Sequence, residues 1–444
     1  MDTDTIAACA TPMARSALAV LRLSGPDARP IAEALCPGTP AWRPRRASLR
    51  QAVADGEPID SLLVTWMPGP RSYTGEDIVE LSGHGNPVLV ERLLDAVVGL
   101  GARVARPGEF TRRALENGRM DLLQAESLAG LIDARSLDGV RIARAGMDGA
   151  LTREVTALRE AALDLAAETE ARLDQPGDDL GFVVDESLAV QLQALAARAA
   201  AHAGTWRAGR MAIEGARVSL VGRVNVGKSS LFNHLVGSAR ALVSPEPGTT
   251  RDVVERACVL DGLELTWMDT AGLREDPGLL EAQGLALAES MRSEADLHLV
   301  VLPLHLGPNP SDSAALTRTQ HLPRILVGTH SDLPLHPSAP VVDHKVDNLT
   351  GGGVADLLEG VRAALGQGES SGASAVLTSQ RQHALLQGVS KRLSDAATAL
   401  LGPWGPAVAA QELVAAIEAL GALHGTDARE AVLDRLFSRF CIGK

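Results

Sequence analysis

One segment limits what this chain can fold into more than any other: Val218-Ser-Leu-Val-Gly-Arg-Val-Asn-Val-Gly-Lys-Ser-Ser230. An apolar run enters Gly222-Arg-Val-Asn-Val-Gly-Lys-Ser229, which has the GxxxxGK[ST] spacing, and helix-forming residues follow. Glycines at both ends let backbone N–H groups turn inward around phosphate oxygens, and the next helix offers its positive end. In such a loop Lys228 reaches the β- and γ-phosphates, and the Ser229 hydroxyl is a ligand for Mg²⁺. The pattern requires a strand, a loop and a helix in that order, so it predicts an α/β domain built on a parallel sheet.

Three further pieces follow in order. Trp267-Met-Asp-Thr-Ala-Gly272 reads as a strand ending in DxxG, its Asp269 forty-one residues after Lys228. There Asp269 would hold Mg²⁺ through water, and the Gly272 amide would sense the γ-phosphate. Gly248-Thr-Thr-Arg-Asp252 lies between the two, and Thr250 offers a second hydroxyl to the metal. Ile325-Leu-Val-Gly-Thr-His-Ser-Asp332 is a strand ending in an acid suited to guanine. Each piece alone would pass for a surface loop; four in this order and spacing describe a GTPase. The nucleotide contacts then fall on Asn225, Val226, Gly227, Lys228, Ser229 and Ser230, and on Ser244, Pro245, Glu246, Pro247, Gly248, Thr249 and Thr250. Asp269, Thr270, Ala271, Gly272 and Asp332 complete the set. Leu273 stands where Ras-like proteins place a water-orienting glutamine. Another group must position that water; Glu281, nine residues past Gly272, is the candidate, against the plain reading of a solvated helix-face carboxylate.

The rest of the chain organises around this segment. Residues 1–117 alternate short apolar runs with turns: Ala17–Leu23, Ser61–Trp66 and Asp77–Leu81 read as strands, and Pro87 to about Leu100 as a helix. An α+β domain fits. Residues 118–210 turn helical. Leu151, Val155, Leu158, Ala162 and Leu165 recur at steps of three and four along one long helix. Gln175-Pro-Gly-Asp-Asp179 interrupts, and an alanine-rich helix runs on to about Arg207. The α/β segment takes 211–366 and ends in a Gly/Ser-rich linker. Helical spacing returns over 375–444, with Leu385, Val389, Leu393, Ala396 and Leu400, then Leu413, Ile417 and Leu420. A last helix starts at Asp427 with Glu430 as its capping-box partner and runs to Phe437. The two helical segments pack as one discontinuous domain into which the α/β domain is inserted. With 444 residues, 45% hydrophobic and 22% charged, the chain holds roughly three globular domains. A net charge of −13 argues against non-specific coating of DNA. Four scattered cysteines exclude a disulfide framework and a zinc ribbon. The start has no basic, apolar leader, and Leu297–Leu306 is too short to cross a bilayer, so a cytoplasmic protein without a membrane span is expected.

Blocks outside the GTPase motifs carry a resemblance that covers the whole chain. Asp4-Thr-Ile6, Ala10-Thr-Pro12, Leu21-Arg-Leu-Ser-Gly25, Tyr73-Thr-Gly-Glu-Asp77, Gly83-His-Gly85, Arg106-Pro-Gly-Glu-Phe110 and Asp121-Leu-Leu-Gln-Ala-Glu126 are similar to the N-terminal blocks of the MnmE (TrmE) family of tRNA modification GTPases. Phe440-Cys-Ile-Gly-Lys444 resembles its C-terminal signature, and Asp269-Thr-Ala-Gly-Leu-Arg-Glu275 its extended DxxG motif. The resemblance implies a homodimer whose N-terminal domains dimerise and bind a tetrahydrofolate one-carbon derivative, 5-formyl- or methylene-tetrahydrofolate. A FAD-dependent partner of the MnmG (GidA) type would join it as a heterotetramer. Together they would act on tRNA, adding a carboxymethylaminomethyl or aminomethyl group at C5 of the wobble uridine. It further implies G domains that pair across the nucleotide, with K⁺ in place of an arginine finger. Asn225, Ser244, Glu246 and Thr249 match the K⁺ positions, Ser229 and Thr250 the Mg²⁺ positions, and Glu281 the catalytic glutamate. Arg22, Glu80 and Lys444 match folate-site positions, and Arg119 stands where a lysine is usual.

Two departures fall in the base pocket: Thr329-His-Ser-Asp332 where Asn-Lys-x-Asp is expected, and Asp347-Asn348 where Ser-Ala is usual. They are the ground for one alternative, a scaffold that keeps folate and partner binding but has lost switching. A ribosome-assembly GTPase is the other alternative, and the N-terminal blocks and the tail argue against it.

Overall fold

The computed structural model describes residues 4–38, 41–173, 186–238, 240–241, 254–260, 262–269, 295–366, 375–402, 405–425, 430–438, 440 and 442–443. They group into two compact units. One comprises Met1–Ala129, Thr152–Ala196 and Gly388–Lys444, the other Gly130–Leu151 and Ala197–Gln387.

The first unit is built on six strands: β1 (Ile6–Cys9), β2 (Ser16–Ser24), β3 (Ser48–Ala54), β4 (Glu57–Met67), β5 (Ile78–Gly85) and β6 (Arg103–Val104). Their order is β3-β4-β5-β2-β1-β6, antiparallel except for the β1–β6 pair. The side-chain period of two sends Leu21, Leu23, Leu62, Val64, Val79 and Leu81 into one core. Ile31, Leu35, Leu93 and Val97, from helices Ala28–Leu35 and Pro87–Gly99, close that core from above. The second helix begins where the sequence places it: Asn86 accepts from the Val88 N–H, and proline fills the first turn. Arg22 and Glu80, each between core residues on its strand, face each other across the β2–β5 register on the opposite side.

The helical stripe Leu151, Val155, Leu158, Ala162 and Leu165 is buried along helix Ala150–Leu173. The stretch before it is not continuous. It divides into Leu122–Asp133 and Leu137–Met147 because Ser136 caps the second helix, accepting from Gly139 N–H and donating to the Ala212 carbonyl at 2.8 Å. Gly149, at φ +79°, makes the next break. In helix Gln380–Leu401 the buried stripe opens on Leu386 rather than Leu385, and then follows Val389, Leu393, Ala396 and Leu400. Helix Gly405–His424 is long and apolar enough to cross a membrane by length and composition, yet it buries Leu413, Ala416, Leu420 and Leu423. The helices before and after the inserted α/β segment meet, with Ser390 Oγ donating to the Ala196 carbonyl at 2.9 Å. The last helix is described over Glu430–Phe437; Asp427 and most of the Gly/Ser-rich linker lie outside the described residues.

The second unit holds β7 (Ala216–Val221), β8 (Arg240–Ala241), β9 (Val254–Leu260), β10 (Leu263–Asp269), β11 (Leu297–Pro303), β12 (Arg324–Thr329) and β13 (His344–Lys345). Their order is β13-β12-β11-β7-β10-β9-β8. The run from β13 to β10 is parallel, and β9 and β8 extend it antiparallel. All of β11 is buried, as a central strand covered on both faces must be. Its apolar run is therefore sheet core. β10 and β11 flank β7 on opposite sides, so the chain's crossovers diverge there and leave a crevice at the carboxyl end of β7.

Candidate functional site

The loop leaving β7 opens into that crevice. Gly227 sits at φ +87°, and Asn225 takes the left-handed region at φ +62°, where asparagine is among the few tolerated side chains. A Cβ on Gly222 would lie 2.6 Å from the Val301 carbonyl, so the loop needs glycine to pass β11. Lys228 opens helix Lys228–Ser238 and is 4% exposed. Its Nζ donates to the carbonyls of Gly222 and Arg223 at 2.9 and 2.6 Å. The ammonium is thus held across the loop's concave side, where phosphate oxygens would be met by a charge already in position. Val226 is buried beneath the loop, whereas Asn225, Ser229 and Ser230 are exposed around it. Exposed hydroxyl and amide oxygens at a helix start suit hard cations, and the glycine cradle suits phosphate.

Across the crevice, β12 delivers the base-side residues. Thr329 is fully buried, and its hydroxyl donates to the Val226 carbonyl at 2.7 Å. The short side chain therefore ties β12 to the phosphate loop. His330 follows at φ +58° and packs against His305, ring centroids 4.4 Å apart. Burial lowers its pKa, the neighbouring His305 lowers it further, and Asp332 pulls the other way. Asp332 is exposed at the mouth. The next loop is shaped by Asp347, whose carboxylate accepts from the Leu349 and Thr350 N–H groups at 2.8 and 3.3 Å. His234, on the helix after the phosphate loop, contacts the Asn348 carbonyl at 2.9 Å. Asn348 then extends its own carboxamide to Gly227, Nδ2 donating to the carbonyl at 3.2 Å.

The first unit has a separate polar cluster. Arg22 donates through Nε and Nη2 to Glu80 Oε1 at 3.0 and 2.8 Å, with the rings of Tyr73 and Phe110 each 5.7 Å away. Its remaining Nη1 reaches the Gly443 carbonyl at 3.3 Å. Gly443 lies so close to the chain start that a Cβ would come within 2.4 Å of the Cys9 carbonyl. Arg119 is exposed and runs past Gly75, two residues from Tyr73. Beneath, Arg113 pairs with Asp4 and Glu76, and Arg103 with Asp4 and Glu109. Burial raises the Glu109 carboxyl, but the hydrogen bond from Arg103 and the Arg106 amide outweigh it and hold the group below its usual range.

Residues 5–119 match the family pattern described as the GTP-binding protein TrmE N-terminus, and residues 122–441 match the MnmE helical domain. The tRNA modification GTPase MnmE of Synechococcus sp. (strain CC9605) is 42% identical, covering 100% of this chain and 99% of its own. The same-named protein of Myxococcus xanthus (strain DK1622) is 44% identical over 99% of each. This chain belongs to the MnmE family of tRNA modification GTPases. Among solved structures, an Era variant of Aquifex aeolicus bound to GDP.AlF4⁻ is 26% identical, covering 40% of this chain and 66% of that one, at a TM-score of 0.27.

As an MnmE family member the chain is a GTPase, and the strand, loop and helix around Gly222–Ser229 follow in the order the sequence predicts. Asn225 through Ser230 lie together, Asp332 lies on the same side of the sheet's carboxyl edge, and Arg22 pairs with Glu80. Asp269 ends β10. Ser244 through Thr250, Thr270, Ala271, Gly272, Glu281, Cys441 and Lys444 lie outside the described residues. His84 lies between two glycines. It sits within β5 rather than in a turn, because Gly83 and Gly85 allow close packing on Leu62 and Ser16. Its Nδ1 meets the buried Asp60 carboxylate at 2.8 Å. Trp42 is half-buried under the Arg50 guanidinium. Tyr73, Phe110 and Asn348 were not legible as site residues. The first two stood inside recognised blocks without a role, and for Asn348 only its departure from Ser-Ala drew notice.

Proposed function

We propose that this chain is the K⁺-stimulated GTPase subunit of a complex that adds a carboxymethylaminomethyl or aminomethyl group at C5 of the tRNA wobble uridine. It acts as a homodimer, with a FAD-dependent partner of the MnmG type and a tetrahydrofolate one-carbon donor. The observation that carries this reading is the pre-formed phosphate loop in a chain whose similarity to tRNA modification GTPases runs end to end. GTP binds with its phosphates in the Gly222–Ser229 loop, and Lys228 neutralises charge on the β- and γ-oxygens. Asn225 faces solvent beside that loop, suited to an alkali cation, and no arginine on the described loop faces the phosphates instead: Arg223 pairs with Asp312 at 3.5 Å. When bound, Mg²⁺ at Ser229 and Thr250 and K⁺ at Asn225, Ser244, Glu246 and Thr249 supply positive charge to the transferring phosphoryl group. Glu281 orients the attacking water in place of the side chain that Leu273 cannot provide. Arg22, Glu80, Arg119 and Lys444 hold folate, with Tyr73 and Phe110 offering faces for its rings.

The deciding measurement is GTP turnover by the purified protein in KCl and in NaCl, paired with nucleoside analysis of tRNA from cells lacking the natural subunit and complemented with this one. Faster turnover in KCl and restored uridine modification are expected. Equal turnover in both salts removes the K⁺ role, and unmodified uridine removes the tRNA role.

A further inference from the structure

The base pocket lacks the asparagine that its strand end should carry, yet a side-chain amide is present there, supplied from the facing loop. Thr329 is committed to the Val226 carbonyl at 2.7 Å and is wholly buried, so it holds the phosphate loop and has no amide to offer a base. Asn348 reaches the next carbonyl along, Gly227, at 3.2 Å. Two consecutive carbonyls of the loop are thus held by two side chains from two different strand ends. A Cβ on Gly227 would find Asn348 Nδ2 and His330 Cε1 as its nearest neighbours, at 1.8 and 3.4 Å, which places the carboxamide beside the histidine that precedes Asp332 by two.

The orientation of this amide is set by chemistry. The Gly227 carbonyl can only accept, so the atom facing it must be nitrogen rather than oxygen. That leaves Nδ2 with a second N–H directed away from Gly227, and Oδ1 buried with no hydrogen-bond partner among the described residues. The backbone beneath is held too, by His234 on the Asn348 carbonyl and Asp347 on the Leu349 and Thr350 amides. A fixed donor at the edge of a purine pocket discriminates. Both purines carry an acceptor at N7, but guanine presents an acceptor at O6 where adenine presents an amine, so a donor aimed at position 6 favours guanine.

We propose that Asn348 is the guanine-specificity residue of this G domain, its carboxamide doing from the 346–351 loop what an asparagine at position 329 would otherwise do. This rests on reading the domain as guanine-binding. It makes Thr329 and Asn348 a pair: one keeps the loop in place, the other donates to O6 of the base.

Calorimetry on the full chain tests it with four proteins and four probes. The proteins are the parent, Asn348→Ala, Thr329→Asn and the double variant. The probes are GDP, ADP, 7-deaza-GDP (no N7 acceptor) and the diphosphate of 2-aminopurine riboside (no O6). Asn348→Ala should weaken GDP about tenfold, the size of one good base contact, and leave the weak ADP binding unchanged. For the 2-aminopurine diphosphate the penalty should vanish, because it lacks the O6 that Asn348 contacts, whereas for 7-deaza-GDP it should persist; a penalty lost with N7 instead would overturn the specificity role. Thr329→Asn should return most of the lost GDP affinity in the Asn348→Ala background. An equal loss for GDP, ADP and both analogues would mean that Asn348 only braces the loop and would overturn the proposal, as would an unchanged GDP affinity. A parent that binds no guanine nucleotide would instead overturn the GTPase reading beneath it.

Discussion

Replacing Gly443 by alanine probes the N-terminal pocket through its most exacting contact. The residue adopts φ +97°, which costs an L-amino acid about 1–2 kcal/mol. Its new Cβ would stand 2.4 Å from the Cys9 carbonyl and 2.8 Å from Ala10 Cα, both backbone atoms that no rotamer change can move aside. At about 1.4 kcal/mol per decade, the dihedral alone shifts the docked tail's equilibrium roughly 5- to 30-fold towards release, and the overlap adds to this. Release withdraws the carbonyl from Arg22 Nη1 and leaves the guanidinium paired only with Glu80. The sheet core beneath does not include Gly443, so melting of the whole chain should change little. Binding of 5-formyl-tetrahydrofolate, measured by calorimetry, should weaken at least tenfold. Ile442→Ala, at an exposed neighbour, serves as the control and should bind like the parent. If Gly443→Ala binds the folate as tightly as the parent, the tail is no wall of that pocket and the assignment of Arg22 and Glu80 to folate loses its geometry.

Asn225→Ala should remove most of the K⁺ stimulation while GDP affinity holds, compared by turnover in KCl and NaCl; retained stimulation would move the alkali ion elsewhere. Glu281→Ala should lower kcat by about 10² to 10⁴ with little change in GTP affinity, and a drop under about threefold in single-turnover assays would return Glu281 to a solvated surface role. His330 has a folded-state pKa below its unfolded value, so the unfolded chain takes up the proton first as pH falls. Its contribution to stability is present above the ordinary histidine pKa of about 6.5 and is lost as pH falls from there through the folded value. The melting temperature of His330→Gln should therefore fall less than the parent's between about pH 7.5 and 5.5; equal acid slopes would show that the ring is not shielded.

The parts of this molecule that could be read from sequence are those governed by local rules. A glycine-bounded loop after an apolar strand, with three further motifs in order behind it, reads as a phosphate cradle, and the three-and-four spacing from Leu151 to Leu165 marks one face of a helix. The break at Ser136 escaped notice because its cap is completed by the Ala212 carbonyl, 76 residues away. Glycine most often marks a turn, but in Gly83-His84-Gly85 it lets strands approach Asp60, Leu62 and Ser16. The role of Asn348 lay beyond any pattern, since a carboxamide moved from one loop to another leaves a gap in one motif and an oddity in a second.

The contact between Arg22 and Gly443 joins residues 421 apart in the chain. At a synthesis rate of about 5–20 residues per second, the first must wait roughly 20–80 s for the second to emerge. During that interval the N-terminal sheet has all six strands and can fold, because its pairings are complete by Val104. What it lacks is the Gly443 carbonyl that accepts from Arg22 Nη1. A chain cut short anywhere in the G domain therefore presents Arg22 and Glu80 without the tail that meets them in the full chain. Arrival of the tail completes the hydrogen bonding of Arg22.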